Sequence, residues 1–490
     1  MKDATYWAEQ IKHGAITSEE LLQDTIKRID QQNTKLNALV EVREDLTRQW
    51  ISTRQKGNGL FEGVFLPLKM LGQNKQGLGN TLGSRIFKNA VAHKTDHFVQ
   101  QLEKSGFIPF GKTNSPEFGF KNITDPVLYG PTKNVWHTDY SAGGSSGGAA
   151  SAVASGMFPI ASASDGGGSI RIPASFSGLI GLKPTRGRTP KGPGIWRGWQ
   201  GAAIDFALTI SVRDTARLLA EMQVIQEAAP YQTPLLPRNE LMNITGVQRK
   251  LSIAVATDSP VGMRVSSEAI KAVKQAASFL ADEGHEIVEI PYPIDGLPLI
   301  QSYFLMNGGE TAAMISNMEQ HLGRAIGQDE VEAATWALLQ YGKHVSAKDY
   351  INCLTLWDST AELMEQRVFE QFDVLLTPTT AHPAPKIDEV LVSEKTKQQV
   401  AHITEFDKKE QEQIIFDLFA RSLELTPFTY PVNLTGGTAI SLPTHVTASG
   451  LPLGIQFMGR KGSEILLLQL AKTFESAGKF SLPTFWRDQS

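Results

Sequence analysis

Residues 141–171 read SAGGSSGGAASAVASGMFPIASASDGGGSIR, with two glycine-rich turns that each carry a serine: Ser145, next to Ser146, in GGSSGG, and Ser169 in DGGGS. Glycine permits sharp turns, positive φ and close approach of the backbone to a ligand. Two such turns in one short stretch predict a site built from main-chain N–H groups and hydroxyls. Between them, GGAASAVASG (147–156) reads as a helix of small side chains and FPIASAS (158–164) as a buried strand. This helix and strand belong to a region in which short apolar strands alternate with helices, a pattern that favours α/β layering.

Working outward, the amino terminus reads as helices. Trp7, Ala8 and Ile11 share a face before Gly14, and Thr17 with Glu20 forms a capping-box pattern ahead of Leu21, Leu22, Ile26 and Ile29. LNALVEV from Leu36 looks like a strand, and short apolar strands then alternate with helices to about residue 260. LSIAVATDSP (251–260) is a further strand, followed by a helix that stops at Gly284. Residues 300–430 are mostly helical, with aromatics in 300–375 suited to covering a substrate and a charged surface excursion from Lys386 to Gln413. SEILLLQLAKTFESAG (463–478) reads as a closing helix capped by Ser463. Without repeats, low-complexity tracts or a Pro/Ser linker, 1–490 reads as one domain.

The bulk numbers narrow the classes. Lys+Arg 47 against Asp+Glu 51 gives a net charge of −4, so no basic field draws the chain to nucleic acid or anionic lipid. The polar start MKDATYWAEQIKHG is neither signal peptide nor anchor, and no apolar run approaches the roughly 20 residues of a membrane span. The expectation is a soluble cytoplasmic protein. The single cysteine, Cys353, excludes an intrachain disulfide and a multi-cysteine metal cluster.

Two motif matches mislead. GFIPFGKT (106–113) fits G-x-x-x-x-G-K-[ST], yet a helix precedes it, Pro109 removes an N–H donor, and Phe107, Ile108 and Phe110 would fill the loop. It reads better as a buried strand and turn. GGSSG (143–147) fits the nucleophile elbow with Ser145 at its centre, but NVWHTDYSA before it is a poor strand. Nothing around His285, His382 or His445 marks a catalytic base.

A serine needs a base, and a buried lysine with a lowered pKa can serve. Lys69 ends the apolar run of GVFLPLKMLG. By position alone it reads as a lysine snorkelling from a strand end more readily than as a base.

The two glycine turns resemble the centre of the amidase signature family, GGSSGG…D-x-GGSIR-x-PA. GKTNSPEFG (111–119), GLIGLKPTRGR (178–188), FDVLLTPT (372–379) and GLPLGIQ (450–456) resemble further family segments in order, so the likeness covers nearly the whole chain. It implies one α/β domain whose central mixed, mostly parallel sheet is covered by helices on both faces. It also implies Ser169 as nucleophile, Ser145 as a bridging serine after a cis peptide bond from Gly144, and Lys69 as base. The oxyanion would be met by backbone N–H groups of Gly166, Gly167, Gly168 and Ser169. Asp165 and Arg171 would tie this loop down, while Ser146, Thr132 and Cys353 are secondary candidates near the site. Met70 departs from the family, which commonly has aspartate after the lysine; NVW (134–136) is a smaller departure.

The resulting expectation is amide hydrolysis through an acyl-enzyme, with no metal or organic cofactor. The substrate would be a small linear or cyclic amide, as in the branch containing 6-aminohexanoate cyclic-dimer hydrolase. Neither nucleic acid nor a membrane is an expected partner, and a homodimer is compatible. The rivals are a glutaminase subunit of a tRNA-dependent amidotransferase, an esterase using Ser145 as elbow nucleophile, and a non-catalytic binding module.

Overall fold

A computed structural model describes residues 1–55 and 57–489. Among these described residues, eleven strands form two sheets. β1 (Leu39–Glu41), β2 (Phe65–Lys69) and β3 (Ile108–Thr113) make a small sheet in the order β1-β3-β2. The large sheet contains β4 (Ile160–Asp165), β5 (Ile180–Lys183), β6 (Ile204–Thr209), β7 (Ser252–Val255), β8 (Glu286–Glu289), β9 (Val374–Pro378), β10 (Thr438–Val446) and β11 (Pro452–Gly459). Its order is β4-β6-β5-β10-β11-β9-β7-β8.

The sheet is mixed, as expected, but it is not mostly parallel. Only β9–β7 and β7–β8 pair in parallel; the other five pairings are antiparallel. Connection length explains part of this. A tight turn links β10 to β11, where the Thr447 N–H donates to Leu451 O at 2.8 Å, and so short a link forces antiparallel pairing. Helix Ser267–Asp282 supplies the long crossover that lets β7 and β8 run parallel.

Successive side chains of a strand point to opposite faces. Ile253, Val255, Leu376, Ile440 and Phe457 therefore join one core, while Ala254, Leu375, Ala439 and Met458 join another. Helices Val212–Met222 and Glu464–Ser476 cover the first face; Gly296–Leu322, Ala347–Met364 and Lys408–Leu425 cover the second.

Local signals mostly translate into structure. Thr17 Oγ1 accepts the Glu20 N–H at 3.1 Å and Glu20 Oε2 accepts the Thr17 N–H at 2.8 Å, which starts helix Ser18–Leu36. GFIPFGKT holds strand β3 after helix His97–Lys104 and forms no phosphate loop. Ser463 occupies the N-cap position of the last long helix, but its side chain makes no capping bond. The charged stretch 386–413 is less of an excursion than expected. It contains helix Glu394–Ala401 and buries Val400 and Ile403 in the second core, because its apolar residues recur on one face.

Candidate active site

The site lies where the small sheet meets the edge of the large one. All of β2 is buried, and its last residue, Lys69, has no exposed surface. Its ammonium is therefore enclosed rather than snorkelling. Lys69 Nζ donates to Ser145 Oγ at 2.8 Å and to Ser164 Oγ at 2.9 Å. Burial is the largest influence on this amine and drives its pKa down from 10.5 to about 7, against the opposing pull of Asp205 and Asp165.

Ser145 follows a cis peptide bond from Gly144. A side chain on Gly144 would lie 2.6 Å from the backbone of Ile123, so only glycine fits there. Helix Gly147–Ala154 begins just after these residues and is completely buried by its small side chains. Ser146 Oγ donates to Ser164 O at 3.2 Å, which fastens the first glycine turn to β4. Thr132 instead supports the surrounding loops, donating to Asn37 O at 2.7 Å.

The second turn follows β4 directly. Asp165 and Arg171 are both fully buried and pair through Arg171 Nε to Asp165 Oδ2 and Nη2 to Oδ1, each at 2.9 Å. Burial alone would raise the Asp165 pKa. The Arg171 charge and bonds, with Asn433, outweigh it and hold the carboxyl at about 2. Asp165 Oδ1 also accepts the Gly168 N–H at 2.7 Å. Gly168 is thereby corrected as an oxyanion donor, because its N–H is already taken. Among the described residues, the N–H groups of Gly166, Gly167 and Ser169 donate to no protein acceptor. Gly168 has φ +132°, and a side chain there would collide with Thr429, whose hydroxyl donates to Gly167 O at 2.7 Å.

Ser169 and Gly167 line a cleft together with Gly119, Phe120, Ile172, Ile300, Tyr303, Phe304, Phe419 and Leu423. Ser145 reaches the same place, since a side chain on Gly119 would lie 3.4 Å from Ser145 Oγ. The cleft wall is aromatic. Phe120 stacks on Trp199 at 6.2 Å, Trp199 meets Tyr303 edge-on at 5.7 Å, and Phe304 stacks on Phe419 at 5.2 Å. Lys121, at the rim, is neutralised by Asp125 at 2.7 Å and Glu332 at 2.8 Å.

One secondary candidate lies away from the site. Cys353 does not line the cleft; it donates from Sγ to Ser302 O at 3.1 Å inside the second core, and burial raises its thiol pKa to about 11. Irregular backbone, not a strand, precedes Ser145, in line with the sequence reading that set the elbow match aside. His285, His382 and His445 bond instead to Leu251, Arg264 and Glu268. The sequence reading missed Ser164 and Gln73; of the aromatic wall, Tyr303 and Phe304 fall within the stretch 300–375 expected to cover a substrate, whereas Phe120 and Phe419 were not anticipated. Ser164 had one available signal: it is two residues from Ser162 on the same strand face, directly before Asp165. Among the described residues no group of His, Cys, Asp and Glu is arranged to hold a metal, and no helix is long and apolar enough to cross a membrane.

Comparisons with known proteins place the chain among hydrolases of carbon–nitrogen amide bonds. A family model described as Amidase matches residues 20–468, and the chain belongs to this family. It is 38% identical over 476 residues to a lipoamidase of Enterococcus faecalis, covering 97% of this chain and 63% of that protein's length. It is 32% identical over 483 residues to a 6-aminohexanoate-cyclic-dimer hydrolase of Paenarthrobacter ureafaciens, covering 97% and 94% of the two chains. A solved structure of 6-aminohexanoate cyclic dimer hydrolase superimposes with a TM-score of 0.90 at 32% identity, covering 99% of each chain.

Proposed function

We propose that the chain hydrolyses a small linear or cyclic amide with an aliphatic acyl portion, through an acyl-enzyme on Ser169. The contact that carries this reading is the fully buried Lys69 amine bonded to Ser145 Oγ at 2.8 Å. With a pKa near 7, about half of Lys69 is neutral at neutral pH. An ordinary lysine would hold roughly a thousandfold less neutral amine. Once neutral, the amine can keep donating to Ser164 Oγ while it accepts from Ser145 Oγ.

Ser169 Oγ attacks the carbonyl carbon, passing its proton to Ser145 as Ser145 passes its own to Lys69. The N–H groups of Gly166, Gly167 and Ser169 meet the developing oxyanion, each such donor contributing about 2.7–4 kcal/mol. Collapse breaks the C–N bond, and Lys69 returns a proton through Ser145 to the leaving amine. Water, deprotonated by the same relay, then attacks the ester and releases the carboxylic acid.

The apolar wall of Phe120, Ile172, Ile300, Phe304 and Leu423 suits a methylene chain, and the name 6-aminohexanoate denotes one in the relative. The glutaminase alternative fits less well. Glutamine carries an α-carboxylate, and the one cationic side chain among the described cleft residues, Lys121, is already paired twice.

The test is a panel of N-acyl amides of increasing chain length, followed by mass spectrometry, with Ser169→Ala and fluorophosphonate labelling as controls. Turnover of aliphatic amides, with labelling lost in Ser169→Ala, is expected. Labelling that survives Ser169→Ala and disappears in Ser145→Ala would overturn the assignment of the nucleophile.

A further inference from the structure

A second polar chain reaches Lys69 from its backbone side. Gln73 Oε1 accepts the Lys69 N–H at 3.0 Å, and Gln73 Nε2 donates to Ala163 O at 3.0 Å and Asp205 Oδ1 at 3.3 Å. Asp205 Oδ2 in turn accepts Lys191 Nζ at 2.6 Å. Asp205 sits on β6 directly across from Ser164 on β4. Residues opposed in an antiparallel pair put their side chains on the same face, with Cβ atoms about 5 Å apart. The Asp205 side chain thus shares a face with Ser164, whose hydroxyl touches the Lys69 amine.

We propose that the Asp205–Lys191 pair sets the proton affinity of the catalytic base: Asp205 is a positioning residue for Lys69, and Lys191 limits how much of its negative charge the amine feels. This rests on the reading of Lys69 as the base.

The charges around Lys69 distinguish this pair from the others. Asp165, at the end of β4, is held by two bonds from Arg171, and neither residue has exposed surface. That pair is locked and also braces the glycine turn. From β3, Lys112 donates to Gln73 O at 2.6 Å and Lys69 O at 3.3 Å, and burial lowers its own amine pKa to about 8. Asp96 accepts the Asn74 N–H at 2.8 Å beyond the same loop. Lys191 differs from all of these: its side chain is 18% exposed and, among the described residues, it is the lone cation paired with Asp205. It is the member that can be changed with least disturbance. Burial pushes the Lys69 proton off, and the first charge opposing that push is Asp205.

The sign follows from electrostatics. An uncompensated carboxylate favours the ammonium form, so the neutral amine is reached only at higher pH; removing the carboxylate does the reverse. At the separation of neighbouring strand residues, one unit charge is worth on the order of one pH unit. The experiment is the acid limb of kcat/KM against pH for a chromogenic anilide at low salt.

Lys191→Gln is expected to move the limb up by about half a unit or more, Asp205→Asn to move it down by about one unit, and Lys191→Arg to leave it in place. Limbs that coincide with the parent's, or that move together in one direction, would overturn the inference. Should Asp205→Asn not fold, the contrast of Lys191→Gln with Lys191→Arg decides alone. Lys69→Ala separates the two readings. If it retains the parent's activity and acid limb, the base assignment itself falls; if it abolishes turnover while the pair variants stay unmoved, only the present inference falls.

Discussion

Replacing Arg171 by methionine tests whether the Asp165–Arg171 pair braces the glycine turn or merely accompanies it. The guanidinium has no exposed surface and, besides its two bonds to Asp165, donates to Thr429 O at 2.8 Å, Gln456 Oε1 at 2.6 Å and Asn433 Oδ1 at 2.6 Å. Methionine fills much of the volume but supplies none of these donors. Asp165 then remains buried with its charge met by Asn433 and backbone N–H groups. Its carboxyl pKa of about 2, against 3.8 ordinarily, corresponds to about 2–3 kcal/mol of favourable interaction with the ionised form. Breaking one side of a buried pair costs about 3–5 kcal/mol, since the remaining charge keeps its desolvation penalty. Catalysis suffers separately: Asp165 fixes Gly168 through a 2.7 Å bond, and displacing the neighbouring donors by about 1 Å costs roughly 100-fold. Urea unfolding followed by tryptophan fluorescence, with kcat on a chromogenic anilide, measures both effects. The double variant Asp165→Asn/Arg171→Met removes the stranded charge and should recover at least about 1 kcal/mol over Arg171→Met. A loss below about 1 kcal/mol with unchanged kcat in Arg171→Met, or a double variant less stable than the single, would refute the reasoning.

Three further outcomes are expected. Ser164→Ala removes one of the two hydroxyls that hold the Lys69 amine, so kcat should fall about tenfold with KM little changed, as steady-state kinetics would show. Phe304 lines both the cleft and an outer groove with Tyr341, Ile415 and Phe416. Phe304→Ala should therefore shift the preferred acyl chain to longer members, each added methylene gaining up to about 0.8 kcal/mol, close to fourfold in kcat/KM. The depressed Asp165 carboxyl contributes stability that is complete above its unfolded pKa near 3.8 and is lost as pH falls through about 2. Thermal unfolding between these limits should be less steeply pH-dependent in Asp165→Asn than in the parent.

The reach of the sequence can be judged residue by residue. The turns at Gly143–Gly144 and Gly166–Gly168 were legible because a backbone that must pass close to Ile123, Trp199 and Thr429 excludes any side chain, a demand written into the residue type itself. The capping box at Thr17 and Glu20, strand β3 inside a false phosphate-loop match, and the small-residue helix Gly147–Ala154 were legible for the same reason: each depends on neighbours a few residues away. Lys69 was readable as the end of a buried run, but whether its amine reached solvent was not. Only the folded chain decides that, by placing β4 and the first glycine turn around Nζ and stripping away its water. The antiparallel bias of the large sheet, the Asp205 contact with Gln73 and the aromatic cleft drawn from positions 120, 303, 304 and 419 depend on pairings between distant segments. The departure of Cys353 from the site has the same cause, since helical periodicity says which face is apolar but not which core it enters. By itself, then, the sequence determined which backbone could turn where and which groups could react. Tertiary structure alone decided which of them meet and in what dielectric, because burial and long-range contact set the lysine's charge and the shape of the cleft.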